Sequence, residues 1–262
     1  MSVAAPDDEA AFRALLQQVA RERGFACANY KDGCLKRRVA VRMRARSAAS
    51  YADYAKLLRD DPAEYDRLMD ALTINVTRLY RDADVWDVFA AEVLPGLWDA
   101  RPEGLSIWSA GCSSGEELYT LAALLHRHAE RTGTLPRLRD TAILGTDIDL
   151  NVLRAARAGR YPEAAFKEMP AALRDRYFPI SGPGLRTAAA ELQALVRVER
   201  RDLLLDPAPP VRLDVICCRN LLIYLDRDGQ EAIFQRFHAA LAAHGRLVLG
   251  KVETMLGPAR QL

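Results

Sequence analysis

Three acidic residues, Glu117, Asp147 and Asp202, stand just past short apolar runs of the kind that form buried strands. The first run, Leu105, Ile107 and Trp108, breaks at Gly111 and Gly115 and leads into a helix carrying Leu118, Leu121, Leu124 and Leu125 at helical spacing. Ala142–Thr146 is a second strand pattern and Leu195–Val198 a third. In an open α/β sheet, ligands bind at the carboxyl ends of the strands, where glycine turns present backbone N–H groups. The turn here has neither the G-x-G-x-x-G of a dinucleotide site nor a terminal Gly-Lys-Ser/Thr; Glu116 and Glu117 follow Gly115 and would repel a pyrophosphate. They would welcome a cation such as an amino-acid ammonium, although acids in a first helical turn also suit the helix dipole. Asp147 is placed to accept from the two hydroxyls of a ribose, and Asp202 from the exocyclic amine of an adenine. For any one acid, a capping or solvated role serves as well. Three at successive strand ends describe a ligand with an amino acid, a ribose and an adenine but no phosphate, which is S-adenosylmethionine.

The elements that must position these acids begin near Asp82 or Asp84, which caps a helix through Trp86, Phe89, Val93 and Leu94 that stops near Pro95. From the glycine turn onward, strands and helices alternate. A helix through Val152, Leu153 and Ala156 ends at Gly159, and Leu213–Cys217 is a fourth strand. A helix from Asp228 to Ala243, with Ile233, Phe234, Phe237 and Leu241 inward, precedes a fifth strand at Arg246–Gly250. This alternation predicts a mainly parallel, doubly wound sheet. Residues 178–194 interrupt it as an inserted loop or small subdomain, too alanine-rich to read as strands. Before residue 73 every pattern is helical: 8–23 with Phe12, Leu15, Leu16 and Val19 inward; 32–46 with Leu35, Val39 and Met43 four apart; a third capped by Ser50; a fourth opened by Asp61-Pro62. Thr73–Arg81 alternates like an extended connector. The domains expected are therefore 1–72, an all-helical unit; 73–85, a linker contributing to the active site; and 86–262, the α/β catalytic domain.

At 262 residues, half of them hydrophobic, with a formal charge of +2, the chain is long enough for one sizeable domain and a smaller one. No apolar run approaches a membrane span, and Met1–Ala10 is acidic rather than signal-like, so a cytoplasmic protein is expected. The 5 cysteines form no C-x-x-C pair and make no ligand pattern with the 4 histidines; reduced thiols and no metal follow. Between Lys31 and Arg46 runs a basic stripe of Lys36, Arg37, Arg38, Arg42, Arg44 and Arg46, with Asp32 its one acid. No aromatic stacking platform accompanies it, which speaks against RNA.

Four stretches taken in order carry a resemblance: Thr73-Ile-Asn-Val-Thr…Arg81, Trp108-Ser-Ala-Gly-Cys-Ser-Ser-Gly-Glu-Glu-Leu-Tyr, Thr146-Asp-Ile-Asp, and Cys218-Arg-Asn-Leu-Leu-Ile-Tyr224. The chain resembles the CheR family of chemotaxis receptor glutamate methyltransferases over essentially its whole length. The resemblance implies a Rossmann-like class I S-adenosylmethionine methyltransferase domain preceded by a small all-α domain. It implies that Asn75, Thr77, Arg81, Ala110, Glu117, Asp147, Asp202, Leu203, Arg219 and Asn220 line the cofactor site, and that Arg81 and Tyr224 stand beside the transferred methyl group. The cofactor is then S-adenosylmethionine, and its product S-adenosylhomocysteine. The acceptor would be a receptor glutamate, already ionised, that needs no general base; positioning and removal of water would drive the displacement. Arg81 can orient a carboxylate, and the Tyr224 hydroxyl can donate to one; alternatively Arg81 pairs with Asp82 or Asp84, and Tyr224 is a core residue.

The implied partners are the glutamate-rich helical cytoplasmic domains of chemoreceptors, met by Arg37, Arg38, Arg42, Arg44 and Arg46. A monomer is expected, with no nucleic acid and no membrane insertion. The sequence departs from the family pattern in four places. Leu118-Tyr-Thr replaces Pro-Tyr-Ser, Asp202 stands where asparagine is common, and Gly250-Lys-Val-Glu253 replaces Gly-His-Ser-Glu, which leaves that loop without an expected role. The chain ends at Leu262, where relatives continue for about another strand, so either it is trimmed or the sheet has an exposed edge. In some relatives the region of the insert grasps a receptor tail, a role not expected here. Two other functions remain compatible: a non-catalytic module sensing S-adenosylmethionine or S-adenosylhomocysteine, and a methyltransferase for another carboxylate.

Overall fold

The computed structural model describes residues 6–73 and 75–255 and divides into two compact units. The first comprises residues 1–74 together with Tyr224–Gln230. Its helices are α1 (Pro6–Arg23), α2 (Asp32–Ala45), α3 (Tyr51–Asp60) and α4 (Pro62–Leu72). Local chemistry sets their starts: Ser50 Oγ accepts from the Asp53 N–H at 3.1 Å. Asp61 Oδ1 accepts from the Ala63 and Glu64 N–H groups at 3.1 and 3.3 Å, with Pro62 in the first turn. Phe12, Leu15, Val19, Leu35, Val39, Tyr54, Leu58 and Leu68 close the core between them. The later segment docks by its backbone. The Lys31 N–H donates to the Tyr224 carbonyl at 2.9 Å, Tyr30 and Leu225 form an antiparallel bridge, and the Asp226 N–H reaches the Asn29 carbonyl at 2.9 Å.

The second unit comprises residues 75–223 and 231–262. It opens with α5 (Ala83–Val88) and α6 (Leu94–Ala100), followed by β1 (Ser106–Ala110), α7 (Glu116–Arg131), β2 (Ala142–Asp147) and α8 (Leu150–Ala158). Next come β3 (Arg160–Pro162), α9 (Ala171–Tyr177), β4 (Ile180–Gly182), β5 (Leu185–Thr187), α10 (Ala190–Gln193), β6 (Val196–Arg200), β7 (Leu213–Cys218), α11 (Arg227–Ala240) and β8 (Leu241–Leu249). The main sheet has the order β6-β2-β1-β7-β8, and every neighbouring pair is parallel. The chain winds outward from β1 to β2 and β6, then restarts beside β1 with β7, so the switch point lies between β1 and β7. β7, Leu-Asp-Val-Ile-Cys-Cys, is buried throughout, as a central parallel strand must be. Its one acid, Asp214, is tied to Arg101 Nε at 2.7 Å and to the Ser106 N–H at 2.9 Å.

Three expectations from the sequence are corrected. The helix after Asp82 does not stop at Pro95: a π-helical stretch, Phe89–Val93, lets it continue through Pro95 to Ala100. The wider turn absorbs the proline's missing donor and its ring. Leu241 belongs not to the last helix but to β8, which pairs with Leu213 and starts well before Arg246. The alanine-rich insert does form strands, β4 and β5, which join β3 in an antiparallel three-stranded sheet of order β3-β5-β4. Backbone pairing suffices for three-residue strands whose side chains carry no alternation to read. β8 is an edge of the main sheet among the described residues, and residues 256–262, on which the expectation about a final strand falls, lie outside them.

Among the described residues of the helical unit one acid is fully buried. Glu64, 0% exposed, accepts from Arg42 Nε and Nη2 at 2.9 and 2.7 Å, from Arg46 Nη1 at 3.0 Å and from the Tyr54 hydroxyl at 2.8 Å. Burial pushes its carboxyl up, but the bonds from Arg42, Tyr54 and Arg46 outweigh this and hold it below the ordinary glutamate value. A lowered folded pKa contributes stability that is present above the unfolded value and is lost as pH falls through the folded one. Glu64→Ala leaves Arg42 without its carboxylate and should destabilise this unit by about 3 kcal/mol, with a weaker acid limb in denaturation curves taken from pH 7 downward. A loss below about 0.5 kcal/mol would show that the cluster contributes no more than a surface pair.

Candidate functional site at the carboxyl ends of the strands

The glycine turn is held by the neighbouring strand. The N–H groups of Gly111 and Cys112 both donate to the Thr146 carbonyl, at 2.8 and 2.9 Å, and Trp108 Nε1 donates to Thr146 Oγ1 at 2.9 Å. Gly115 has φ +91°, and a Cβ there would lie 2.9 Å from that of Ala156, so the turn admits only glycine. The β1–β2 register, Ser106↔Ala142 to Ala110↔Thr146, ends with Ala110, buried, beside the strand that terminates in Asp147.

Asp147 Oδ2 accepts from the Ser113 N–H at 2.9 Å and Oδ1 from the Asp149 N–H at 3.0 Å. Asn75 belongs to the same network: its Nδ2 donates to Asp149 Oδ2 at 3.0 Å, and Ser113 Oγ lies 3.4 Å from its Oδ1. Glu117 accepts from Ser109 Oγ at 2.7 Å and lies 3.5 Å from Arg219 Nη1. Asp202, 6% exposed, accepts from the Leu204 N–H at 2.8 Å. Burial raises the carboxyls of Glu117, Asp147 and Asp202 above their ordinary values, against the lowering effect of these bonds. In each of the three, burial outweighs the bonds present.

Arg219, its side chain 3% exposed, ties the site to the connector. Nη2 donates to the Arg81 carbonyl and to Asp82 Oδ2, both at 2.8 Å, and its guanidinium lies 4.7 Å from the Trp86 ring centre. Its Nε–H is buried without an acceptor among the described residues. Asp82 is therefore no side-chain helix cap, as the sequence suggested, but the counter-ion of Arg219. Asp84, the other candidate cap, pairs with Lys251 at 2.7 Å. Both acids beside Arg81 are thereby occupied, and Arg81 Nη1 turns back to the Val76 carbonyl at 2.8 Å. Thr77 is half-buried on the same connector, and Leu203, half-buried beside Asp202, receives Arg236 on its carbonyl at 2.7 Å.

The sequence reading missed Glu253. One carboxylate oxygen accepts from the N–H groups of Asn220 and Gly250, at 2.7 and 2.8 Å, and the other from those of Leu221 and Leu222, both at 2.8 Å. Asn220 has φ +62°, a left-handed conformation that asparagine tolerates better than most residues. The Gly-Lys-Val-Glu loop thus anchors the Asn220–Leu222 turn, and the surviving glutamate of that pattern was the signal available.

Of the five docking candidates, Arg42 and Arg46 are consumed by the Glu64 cluster, and Arg38 Nη1 donates to the Ala71 carbonyl. Arg37 and Arg44 are exposed and have no ion pair among the described residues. Tyr224 lies in the first unit, half-buried, with its ring beneath the Arg38 guanidinium.

Residues 75–262 match the family described as CheR methyltransferase, SAM binding domain, and residues 10–73 match CheR methyltransferase, all-alpha domain. The chain belongs to the CheR methyltransferase family. A chemotaxis protein methyltransferase of Listeria monocytogenes is 32% identical over 97% of this chain and 94% of its own length. One from Klebsiella aerogenes is 33% identical over 95% and 84%. A 104.1 kDa protein of Rhodobacter capsulatus, described as uncharacterized, is 35% identical over 87% of this chain, which spans only 24% of that protein. The CheR match makes the second unit a Rossmann-like class I methyltransferase domain whose cofactor is S-adenosylmethionine. The residues fit that cofactor: buried, under-satisfied carboxylates suit its ammonium, hydroxyl and amine donors, and the turn offers no cation for a phosphate.

Two outcomes follow. If the raised carboxyls receive the cofactor ionised, affinity falls on acidification from above the ordinary carboxylate range, and binding at mildly acidic pH releases protons to buffer; titration calorimetry in buffers of different ionisation heat reads this. Proton-neutral binding across that range would mean these acids do not contact the cofactor. Glu253→Gln keeps the side-chain volume but supplies one accepting oxygen for four donors, and should weaken S-adenosylmethionine binding by about tenfold or more, a loss of about 1.4 kcal/mol, with native circular dichroism. Unchanged affinity would show that the Asn220–Leu222 turn holds without it.

Proposed function

We propose that the protein transfers a methyl group from S-adenosylmethionine to glutamate side-chain carboxylates of chemoreceptors, forming glutamate methyl esters. The acceptor carboxylate is already a nucleophile at neutral pH. The carbon–sulfur bond breaks as the carbon–oxygen bond forms, and S-adenosylhomocysteine leaves as a neutral thioether, with no proton to move. The protein then has two tasks, to orient the carboxylate and to keep water from it.

The observation that carries this reading is the state of Arg81. Asp82 is taken by Arg219 and Asp84 by Lys251, so among the described residues the Arg81 guanidinium holds only the Val76 carbonyl and keeps donors for an incoming carboxylate. Tyr224, the other residue of the proposed pair, has no acceptor for its hydroxyl among the described residues, so its O–H is available to donate. Asn75, Thr77, Arg81, Ala110, Glu117, Asp147, Asp202, Leu203, Arg219 and Asn220 are assigned to the cofactor. Names of relatives such as the Listeria and Klebsiella chemotaxis protein methyltransferases support a chemoreceptor substrate. Receptor signalling domains are glutamate-rich helical bundles, and the exposed Arg37 and Arg44 are the charges left to meet one.

The test is transfer of radiolabelled methyl to receptor-enriched membranes. Wild-type protein should give label on receptors that mild base releases as methanol. Arg81→Ala and Tyr224→Phe should each cut turnover at saturating cofactor by about tenfold or more, and Tyr224→Phe should do so with cofactor binding retained. Base-stable label would exclude a carboxyl ester; tight cofactor binding with no transfer to receptors would make the protein a sensing module instead.

A further inference from the structure

Arg38 sits in the middle of the basic stripe, where charge alone would assign it to partner docking. Its surroundings do not suit that task. Nη1 is bound to the Ala71 carbonyl at the end of α4, and Nε–H is buried with no acceptor among the described residues. Burial lowers the guanidinium below its ordinary value. A docking arginine is kept hydrated and mobile on its long stem, whereas this one is half-buried and held at one end by a backbone carbonyl.

What the orientation provides is a cover for one ring. The guanidinium carbon of Arg38 lies 5.9 Å from the centre of the Tyr224 ring, within the range of an attractive cation–ring contact. The backbone of Tyr224 is caught at the start of α2, the Lys31 N–H donating to its carbonyl at 2.9 Å, and the next residue, Leu225, bridges to Tyr30. Main chain and ring are therefore each held by the stretch Tyr30–Arg38. Only the hydroxyl end is left to act.

We infer that Arg38 is a positioning residue for Tyr224, setting the direction of its hydroxyl, rather than a contact for the partner. The inference rests on the reading of Tyr224 as the donor to the substrate carboxylate. A group that orients a donor acts on the reaction step and leaves partner affinity alone. A misdirected donor costs turnover even when substrate saturates the enzyme. The planar fork is also what locks the side chain to Ala71 while covering the ring, and an ammonium cannot reproduce it.

Arg38→Lys separates the two roles, because it keeps the charge and loses the plane. Receptor methylation kinetics should show Arg38→Lys and Arg38→Ala lowering kcat by about tenfold, with the receptor KM within about threefold of wild type; Arg37→Ala should instead raise KM. In parallel, 3-fluorotyrosine placed at position 224 alone reports the ring by fluorine NMR without any turnover. Its resonance should shift or broaden in both Arg38 variants and stay in place in Arg37→Ala. Full kcat in Arg38→Lys, or an effect of Arg38→Ala confined to KM, overturns the inference in favour of docking. An unmoved fluorine resonance in Arg38→Ala overturns the contact itself. If Tyr224→Phe turns over like wild type, the reading of Tyr224 fails, and a resonance that moves in the Arg38 variants then shows a contact that positions nothing for the reaction.

Discussion

A carboxylate removed from water persists in a fold only if donors replace the water, and the second unit and the helical unit both depend on how completely this is done. Glu64 receives two arginines and a tyrosine, and its carboxyl is driven down. Glu253 receives four backbone N–H groups and fixes a turn. Glu117, Asp147 and Asp202 receive fewer, and burial drives them up. The well-satisfied acids hold structure together, and the under-satisfied ones stand at the ends of β1, β2 and β6, where a ligand can supply what is missing.

The two kinds of acid pull stability in opposite directions with pH. Glu64 adds stability above the ordinary carboxylate range and loses it as pH falls. The site acids, raised in the folded state, do the reverse: their stabilising contribution belongs to low pH and is lost as pH rises through their folded values. The cofactor site thus adds least to stability at the alkaline side of those values, and its surroundings hold it. The support is backbone: Thr146 receives two N–H groups of the glycine turn, and Asp147 receives Ser113 from that turn. Ligand binding should then stabilise the unit by more than surface contact alone would give.

What was legible in the sequence was whatever repeats locally. The strand–turn–helix around Gly111 and Gly115, the caps at Ser50 and Asp61 and the alternation that predicts a parallel sheet all depend on residues close in sequence. Glu253 was hard to read because three of its four partners lie 31 to 33 residues earlier and all four are backbone groups, which carry no residue signature. The division of the basic stripe was partly legible. Arg38, Arg42 and Arg46 fall four apart, the first two each one position before the inward Val39 and Met43 and the third just past the last helical residue, Ala45, so they share a face beside the core. Arg37 and Arg44, seven apart, fall on another. Which acid would draw the first set inward was not visible, since Glu64 lies two helices further on.

The stretch Cys218-Arg-Asn-Leu-Leu-Ile-Tyr224 reads as one motif but is held in two ways. Arg219 is locked by Asp82 and the Arg81 carbonyl, and Asn220 to Leu222 by Glu253, all within the second unit. Two residues on, Tyr224 belongs to the helical unit, held through its carbonyl by Lys31 and over its ring by Arg38. A loop that served only the cofactor would need one anchorage. The second holds Tyr224, the proposed donor, within the helical unit. Changes in α2 should therefore reach the chemistry through Tyr224 as well as through whatever surface that helix presents to a partner.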